Sequence, residues 1–281
     1  MLLDFLNDYY QAELENIHDV AGNQHLVGYS QLYDCDLFVK IFEDEAMFYA
    51  EQHVNQVYCP EIYLDSVLYE DYYVVVLKDR KMQEVTAEEK NLLPKQAQKY
   101  GRMLADFHNQ LTGQVKVFND ERPLSQRLAE KIANLKGTEH ETDVVQAYQI
   151  LQADLAAADQ EYQQLPKVVV HGDFSLRNIM VYDKHEILID FEKAHMGVAY
   201  EDMLKFFYNE VHAVTLRKEF LKGYRRQRRF EIPQIQLQRV MLFFVALDIL
   251  EYHVTHPKKK FGNMATRMLQ TIVAGDALLT I

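Results

Sequence analysis

The pattern of apolar and polar positions changes character about a third of the way along the chain. Short apolar runs occupy residues 17–20, 25–33 and 37–42, divided by breakers at Gly22-Asn23 and at residues 34–36. Apolar runs bounded by turn-forming residues predict strands. A further pair, 62–68 and 72–77, flanks Glu70-Asp71 and predicts a hairpin. Between the two sets, Ala46, Tyr49, Ala50 and His53 recur at helical spacing, which predicts one helix over 43–57. Pro60 marks the entry to the next strand.

Beyond residue 78 the helical period takes over. Thr86-Ala87-Glu88-Glu89 has the form of a capping box, with Pro94 a few positions on. A long helix is predicted over 95–111, with Tyr100, Met103, Leu104 and Phe107 on one side, and further helices over 124–135 and 141–164. Pro166 ends the last of these. Short strands follow at 168–170, 179–182 and 187–189, then helices at 201–210, 213–227, 233–255 and 262–279. This order predicts an α+β chain of two lobes. An N-lobe over 1–78 carries a small antiparallel sheet and one helix, and a mainly helical C-lobe over 79–281 carries three inserted strands. A connector lies near 78–90.

Composition narrows the picture. The 281 residues suffice for two lobes, and 48% hydrophobic with 26% charged residues is an ordinary globular balance. The net charge of −12 argues against nucleic acid as a partner, because phosphate binding needs a basic face. It suits a cationic ligand but is more simply read as solubility. Cys35 and Cys59 make neither a disulfide framework nor a metal pair. The N-terminal MLLDFLNDYYQAELE lacks the basic and apolar regions of a signal peptide. The longest apolar stretch, residues 240–250, is interrupted by Asp248 and falls short of the roughly 20 residues a bilayer span needs. A cytoplasmic protein with no membrane partner is expected. The Met and Phe stripe at 240–247 reads as core, and the basic runs at 225–229 and 258–260 read as solvated helix ends.

The chemistry is concentrated in two runs. His171-Gly172-Asp173-Phe174-Ser175-Leu176-Arg177-Asn178 has the H-x-D-x-x-x-x-N spacing of a kinase catalytic loop. Asp190-Phe191-Glu192 follows shortly after, behind the apolar Ile187-Leu188-Ile189. Phosphoryl transfer depends on positioning and charge neutralisation, and these runs contain the parts. Asp173 is the expected catalytic residue, orienting an acceptor hydroxyl and taking its proton. Its alternative role is a loop aspartate closing an Asx turn. Asn178 and Asp190 are hard oxygen ligands of the kind Mg2+ prefers beside nucleotide phosphates. Glu192 shares a side with Asp190 in an extended segment, and touches the metal or simply faces solvent.

Lys40, between apolar residues on a strand, is expected to meet the ATP phosphates and to pair with a helix glutamate. Glu45 is the first choice for that partner and Glu51 the second. Gly22, in Ala21-Gly22-Asn23-Gln24-His25, marks the place of a phosphate-covering loop or of a plain hairpin turn. His171 is expected to support the loop backbone, and Asp202 to brace it from the following helix.

These residues resemble the aminoglycoside phosphotransferase and choline kinase-type family of small-molecule kinases. The resemblance covers most of the chain: Lys40, the helix from Glu45, Leu104-Ala105-Asp106-Phe107-His108, HGDFSLRN, IDFE and the stretch 197–202 occur in family order. It departs most around Gly22. The resemblance implies a protein-kinase-like fold with ATP and Mg2+ in the cleft. It implies that residues 72–78 form the lobe hinge, with backbone near Leu77 meeting adenine, and that the C-terminal helices hold a small-molecule hydroxyl substrate. Aminoglycosides, amino alcohols and sugars are all open as acceptors, and Glu231, Asp248 and Glu251 are acids available to a cationic one. Gly172 stands where a protein kinase has the arginine that docks an activation-loop phosphate, and the stretch between Asp190 and Asp202 is short. A protein kinase is therefore the weaker reading. A nucleotide-binding module without catalysis is the alternative from another class.

Overall fold

The computed structural model describes residues 1–20, 23–85, 92–257, 259–276 and 278–279. The predicted capping box at Thr86–Glu89 and Gly22 lie outside the described residues. The first element is a helix that the strand-dominated reading of this region missed, α1 (Leu2–Tyr10). Then come β1 (Glu15–Val20), β2 (Asn23–Ser30), β3 (Cys35–Phe42), α2 (Glu45–Tyr58), β4 (Tyr63–Tyr69) and β5 (Tyr72–Lys78). The strands form one antiparallel sheet in the order β1-β2-β3-β5-β4.

Both faces of this sheet are covered, and the period-2 alternation divides the core accordingly. Leu37, Val39, Ile41, Val74 and Val76 pack with Leu6 and Tyr10 of α1. Phe42, Val75 and Leu77 face the other way, into the larger core shared with α2 and the helical lobe. The α1 helix holds its place through burial of Leu6 and Tyr10 and through a 3.2 Å hydrogen bond from the Tyr10 hydroxyl to Asp65.

The second lobe begins with β6 (Gln83–Glu84) and α3 (Pro94–Leu111). It continues through α4 (Leu124–Asn134), α5 (Glu141–Leu151), α6 (Leu155–Gln164) and β7 (Lys167–Val170). Next come a 3₁₀ turn (Leu176–Asn178), β8 (Ile179–Tyr182), β9 (His185–Leu188) and β10 (His195–Val198), which pairs with β7. The chain closes with α7 (Tyr200–Asn209), α8 (Val214–Arg225), α9 (Ile235–Thr255) and α10 (Lys259–Ala274). The single helix expected over 141–164 is two. Asp154, between them, accepts a 2.9 Å ion pair from Arg239 of α9, so a tertiary contact fixes the break. Glycines let α3 and α8 approach closely: a Cβ at Gly101 of α3 would lie 2.1 Å from the Phe220 carbonyl oxygen, and one at Gly223 of α8 would lie 2.0 Å from that of Gln98.

Helix α9 is buried around its circumference, at Leu237, Val240, Met241, Leu242, Phe243, Ala246, Leu247 and Leu250 among others, and forms the axis of the C-terminal bundle. Among the described residues no helix is long and apolar enough to cross a membrane.

Candidate active site

Strand geometry aims Lys40. Because Leu37, Val39 and Ile41 face α1, Phe38, Lys40 and Phe42 face the helical lobe. Lys40 is 3% exposed, and its Nζ lies 2.8 Å from Asp190, 3.0 Å from Glu51 and 3.8 Å from Glu192. Burial opposes the charge, but Glu51, Asp190 and Glu192 outweigh it and hold the ammonium above the ordinary lysine value.

Glu45 is not the partner. It is exposed in the first turn of α2, next to Asp44, whose side chain caps the helix by accepting the Met47 N–H. Glu51 stands about 9 Å further along the helix, at 1.5 Å per residue, on the face that buries Phe48, Val54 and Asn55. Its second oxygen accepts the Phe191 N–H at 2.6 Å, so one carboxylate ties α2 both to Lys40 and to the backbone after Asp190. Leu77, the last residue but one of β5, pairs with Phe38 and Tyr63, and residues 72–78, expected as the hinge, are an interior strand of the sheet. The chain leaves the sheet after Lys78 because only there does the ladder with β3 stop.

The HGD loop hangs from β7. Gly172 has φ +77°, and a Cβ there would meet the Lys193 carbonyl oxygen at 2.2 Å, so both conformation and space require glycine. Asp202, 2% exposed on α7, accepts the His171 N–H at 2.8 Å and the Gly172 N–H at 2.9 Å. It also accepts from His108 Nε2 at 3.0 Å, which leaves His108 Nδ1 to accept the Tyr224 hydroxyl at 2.7 Å. Burial pushes the Asp202 carboxyl up, but the hydrogen bonds from His108 and from the His171 N–H bring it below the usual carboxylate value. His171 lies inside the loop. Its Nε2 donates to the Ile189 carbonyl at 3.1 Å and its Nδ1 accepts the Asp173 N–H at 3.3 Å, which makes it a strut between the two motifs.

The Asp173 carboxylate binds the Arg177 guanidinium, and Lys193 Nζ lies 3.8 Å away. Burial raises its pKa, but Lys205, Lys193 and Arg177 together lower it below the ordinary value. Asn178 is buried in the 3₁₀ turn, where its Nδ2 donates to the Asp173 carbonyl at 2.9 Å and so fixes the orientation of the side-chain amide. The Ile189 N–H donates to the Asn178 carbonyl at 3.0 Å, which brings the residue before Asp190 to the turn that follows the HGD loop. Asp190 itself has φ +69°, a left-handed conformation that costs about 1–2 kcal/mol outside glycine. Burial works against its ionisation, yet Lys40 lowers its pKa to about 2. Burial raises the neighbouring Glu192, and the charges of Asp190 and Glu51 add to this against the pull of Lys40.

Asn178, Asp190 and Glu192 offer oxygen atoms only, the donor set that a hard divalent cation such as Mg2+ takes. Sequence reasoning missed the cations Arg177, Lys193 and Lys205, and also Tyr224 and Glu210, whose carboxylate accepts the Leu176 N–H at 2.9 Å. Arg177 and Lys193 stood beside the motifs in plain view. Tyr224 and Glu210 carried no local signal, since they reach the loop only through packing of α7 and α8.

Comparison with known proteins agrees with this geometry. Residues 39–237 match the model of the phosphotransferase enzyme family. No curated protein matches the chain by sequence. Among solved structures, the chain is similar to a thermostable mutant of an aminoglycoside phosphotransferase in ternary complex with ADP and hygromycin B. The TM-score is 0.67 at 12% identity, over 98% of this chain and 99% of that one. It is similar to an amicoumacin kinase in complex with AMP-PNP, Ca2+ and Ami, at TM-score 0.67 and 15% identity over 99% and 95% of the two chains. A choline/ethanolamine kinase family protein from Mesorhizobium loti aligns at TM-score 0.62 and 17% identity over 98% and 95%. At these identities the likeness establishes the fold, a two-lobed kinase-like α+β arrangement. The family match runs from Val39, beside Lys40, through both motifs into α9, and the chain belongs to the phosphotransferase enzyme family.

Proposed function

We propose that this protein transfers the γ-phosphoryl group of ATP to a hydroxyl of a small molecule, with Mg2+ required. The observation that carries the reading is the ion pair between Lys40 of the sheet and Asp190 of the helical lobe, 150 positions apart in sequence, within a cluster that also gathers Glu51 and Glu192. Residues 1–78 form the nucleotide lobe in this reading, and residues 79–281 supply the catalytic loop and the acceptor region.

Asn178 and Asp190, with Glu192 beside them, would hold Mg2+, which when bound neutralises phosphate charge. Lys40, held in place by Glu51, contacts the donor phosphates, and Gly22 and the backbone next to Leu77 are assigned to the nucleotide. Lys205, Lys193 and Arg177 hold the Asp173 carboxyl below its ordinary value and so favour the carboxylate form, the one that can accept the hydroxyl proton. Asp202 and His171 keep the loop in position. The absence of a side chain at Gly172 removes the docking point of a phosphorylated activation segment and supports a small-molecule acceptor over a protein. A cytoplasmic location, where ATP and Mg2+ are held, follows from the same reading.

The test is ADP release with Mg-ATP across a panel of aminoglycosides, amino alcohols, sugars and hydroxy acids, with the phosphorylated product identified by mass spectrometry. A phosphorylated small molecule is the expected result. Nucleotide binding without transfer to any acceptor would favour the non-catalytic binding module. Incorporation of phosphate into protein, indifferent to added alcohols, would favour the protein kinase.

A further inference from the structure

Charge in the cleft is sorted by side. Beneath β3 a single cation, Lys40, lies within 4 Å of three carboxylates, Glu51, Asp190 and Glu192, so this half is net negative and suits a divalent cation. Around Asp173 the balance reverses. Arg177 binds its carboxylate, Lys193 Nζ stands 3.8 Å from the same oxygen, and Lys205 Nζ donates at 3.4 Å to the Gly172 carbonyl. Glu210, whose carboxylate holds the Leu176 N–H, acts with Asp190 on Arg177, while Lys205 meets a carbonyl oxygen rather than a carboxylate.

The acids of the C-terminal helices do not redress this. Asp248 and Glu251 lie 2.6 Å and 2.7 Å from Lys131 of α4, and Glu231 is bound to Arg229. Each carboxylate that the sequence offered to a cationic acceptor thus has an ion-pair partner, although Asp248 and Glu251 share one lysine.

Two of the three cations beside Asp173 also act on the metal-side carboxylates: Arg177 on Asp190, and Lys193 on Asp190 and Glu192. In the phosphotransferase reading both would face the transferring phosphoryl group. Lys205 comes from α7, the helix that carries Asp202, and reaches the loop at the residue before Asp173.

Building on the phosphotransferase reading, we infer that the acceptor is an anionic alcohol, whose carboxylate or phosphate group is received by Lys205 while its hydroxyl lies beside Asp173. As the acceptor oxygen bonds to the γ-phosphorus, the bond from that phosphorus to the ADP oxygen breaks and the hydroxyl proton passes to Asp173. A cationic acceptor in the same place meets like charge from all three cations.

The experiment measures ADP release by the full chain with Mg-ATP for matched acceptors: gluconate, glucose 6-phosphate, glucose and glucosamine; glycerate, glycerol 3-phosphate, glycerol and serinol; and kanamycin and choline. An anionic member of a series is expected to exceed its neutral and cationic counterparts at least about tenfold in kcat/KM, and the carboxylate and phosphate arms tell which group is received. With that acceptor, Lys205→Ala raises KM about tenfold and changes kcat little, and Lys205→Arg restores most of the loss. A purely structural role for Lys205 would instead lower the melting temperature and leave the ranking of acceptors unchanged, which overturns the assignment. Preferred turnover of neutral or cationic members by the wild-type protein overturns the inference and leaves the phosphotransferase reading standing. No transfer to any acceptor, by protein shown calorimetrically to bind Mg-ATP, overturns both.

Discussion

The Lys40 ammonium and the Glu51 carboxylate lie 3.0 Å apart with side chains 4% and 2% exposed, sealed between the sheet and α2. The same glutamate accepts the Phe191 N–H, so the position of Lys40 and the backbone just after Asp190 depend on one side chain. Removing one partner of a buried pair strands the other, and this costs far more than the pair contributes when intact. Glu51→Gln should therefore destabilise the fold by about 2–4 kcal/mol, tempered by the remaining contact of Lys40 with Asp190. Glu45→Ala should stay within about 0.5 kcal/mol. Urea unfolding of the two variants decides the matter, and equal effects would rule out Glu51 as the brace.

Asp173→Asn should lower kcat by about 10²–10⁴ while leaving Mg-ATP affinity nearly intact. Its carboxylate contacts Arg177 and Lys193, outside the Lys40 cluster. Steady-state rates and calorimetric titration with Mg-ATP check this together. Loss of both activity and binding would assign Asp173 a structural role.

Asp190→Asn tests the metal site with little disturbance of the backbone, because asparagine tolerates the left-handed conformation at φ +69°. It also removes one of the three carboxylates around Lys40. Mg-ATP affinity should fall by at least about tenfold, with a modest fall in melting temperature as Lys40 keeps Glu51 but loses one of its partners. Unchanged affinity would sink the assignment of Asp190 as a ligand.

Asp202 gives a pH signature. Its carboxyl is below the ordinary value when folded, so folding stability gained from its ionisation is fully present above the unfolded pKa, about 4, and is lost as pH falls through the folded value. The stability difference between wild type and Asp202→Asn should be greatest near pH 7 and should shrink below about pH 4. A difference that grows with acidification would contradict the hydrogen-bonded carboxylate seen under the HGD loop.

Gly172→Ala forces a side chain into a positive-φ position 2.2 Å from a carbonyl oxygen. The backbone term alone costs about 1–2 kcal/mol, and relief of the clash has to move either Lys193 or the loop that carries Asp173. Activity should fall more steeply than Mg-ATP affinity. Activity and thermal midpoint both at the wild-type level would show the loop to be looser than this packing implies.

Much of the fold was legible in the sequence because periodicity is a local property. The strands at β2, β3, β4 and β5, the helix α2 and the long helices α3 and α9 follow from alternation and helical spacing, and the kinase order of Lys40, HGD-x-x-x-x-N and Asp190 follows from motif spacing alone. The split of α5 from α6, the pairing of β10 with β7, the choice of Glu51 over Glu45 and the identity of the cations around Asp173 were settled by tertiary structure. Each depends on which residues from distant segments meet. The faces of a helix are legible from its period, but Glu45 and Glu51 both look like solvated acids until β3 packs on α2 and places Lys40 against one of them. Asp173, Asn178 and Asp190 were named by the sequence. Their charge environment, negative around Lys40 and positive around Asp173, exists only once the sheet lobe, the catalytic loop and α7 have been brought together.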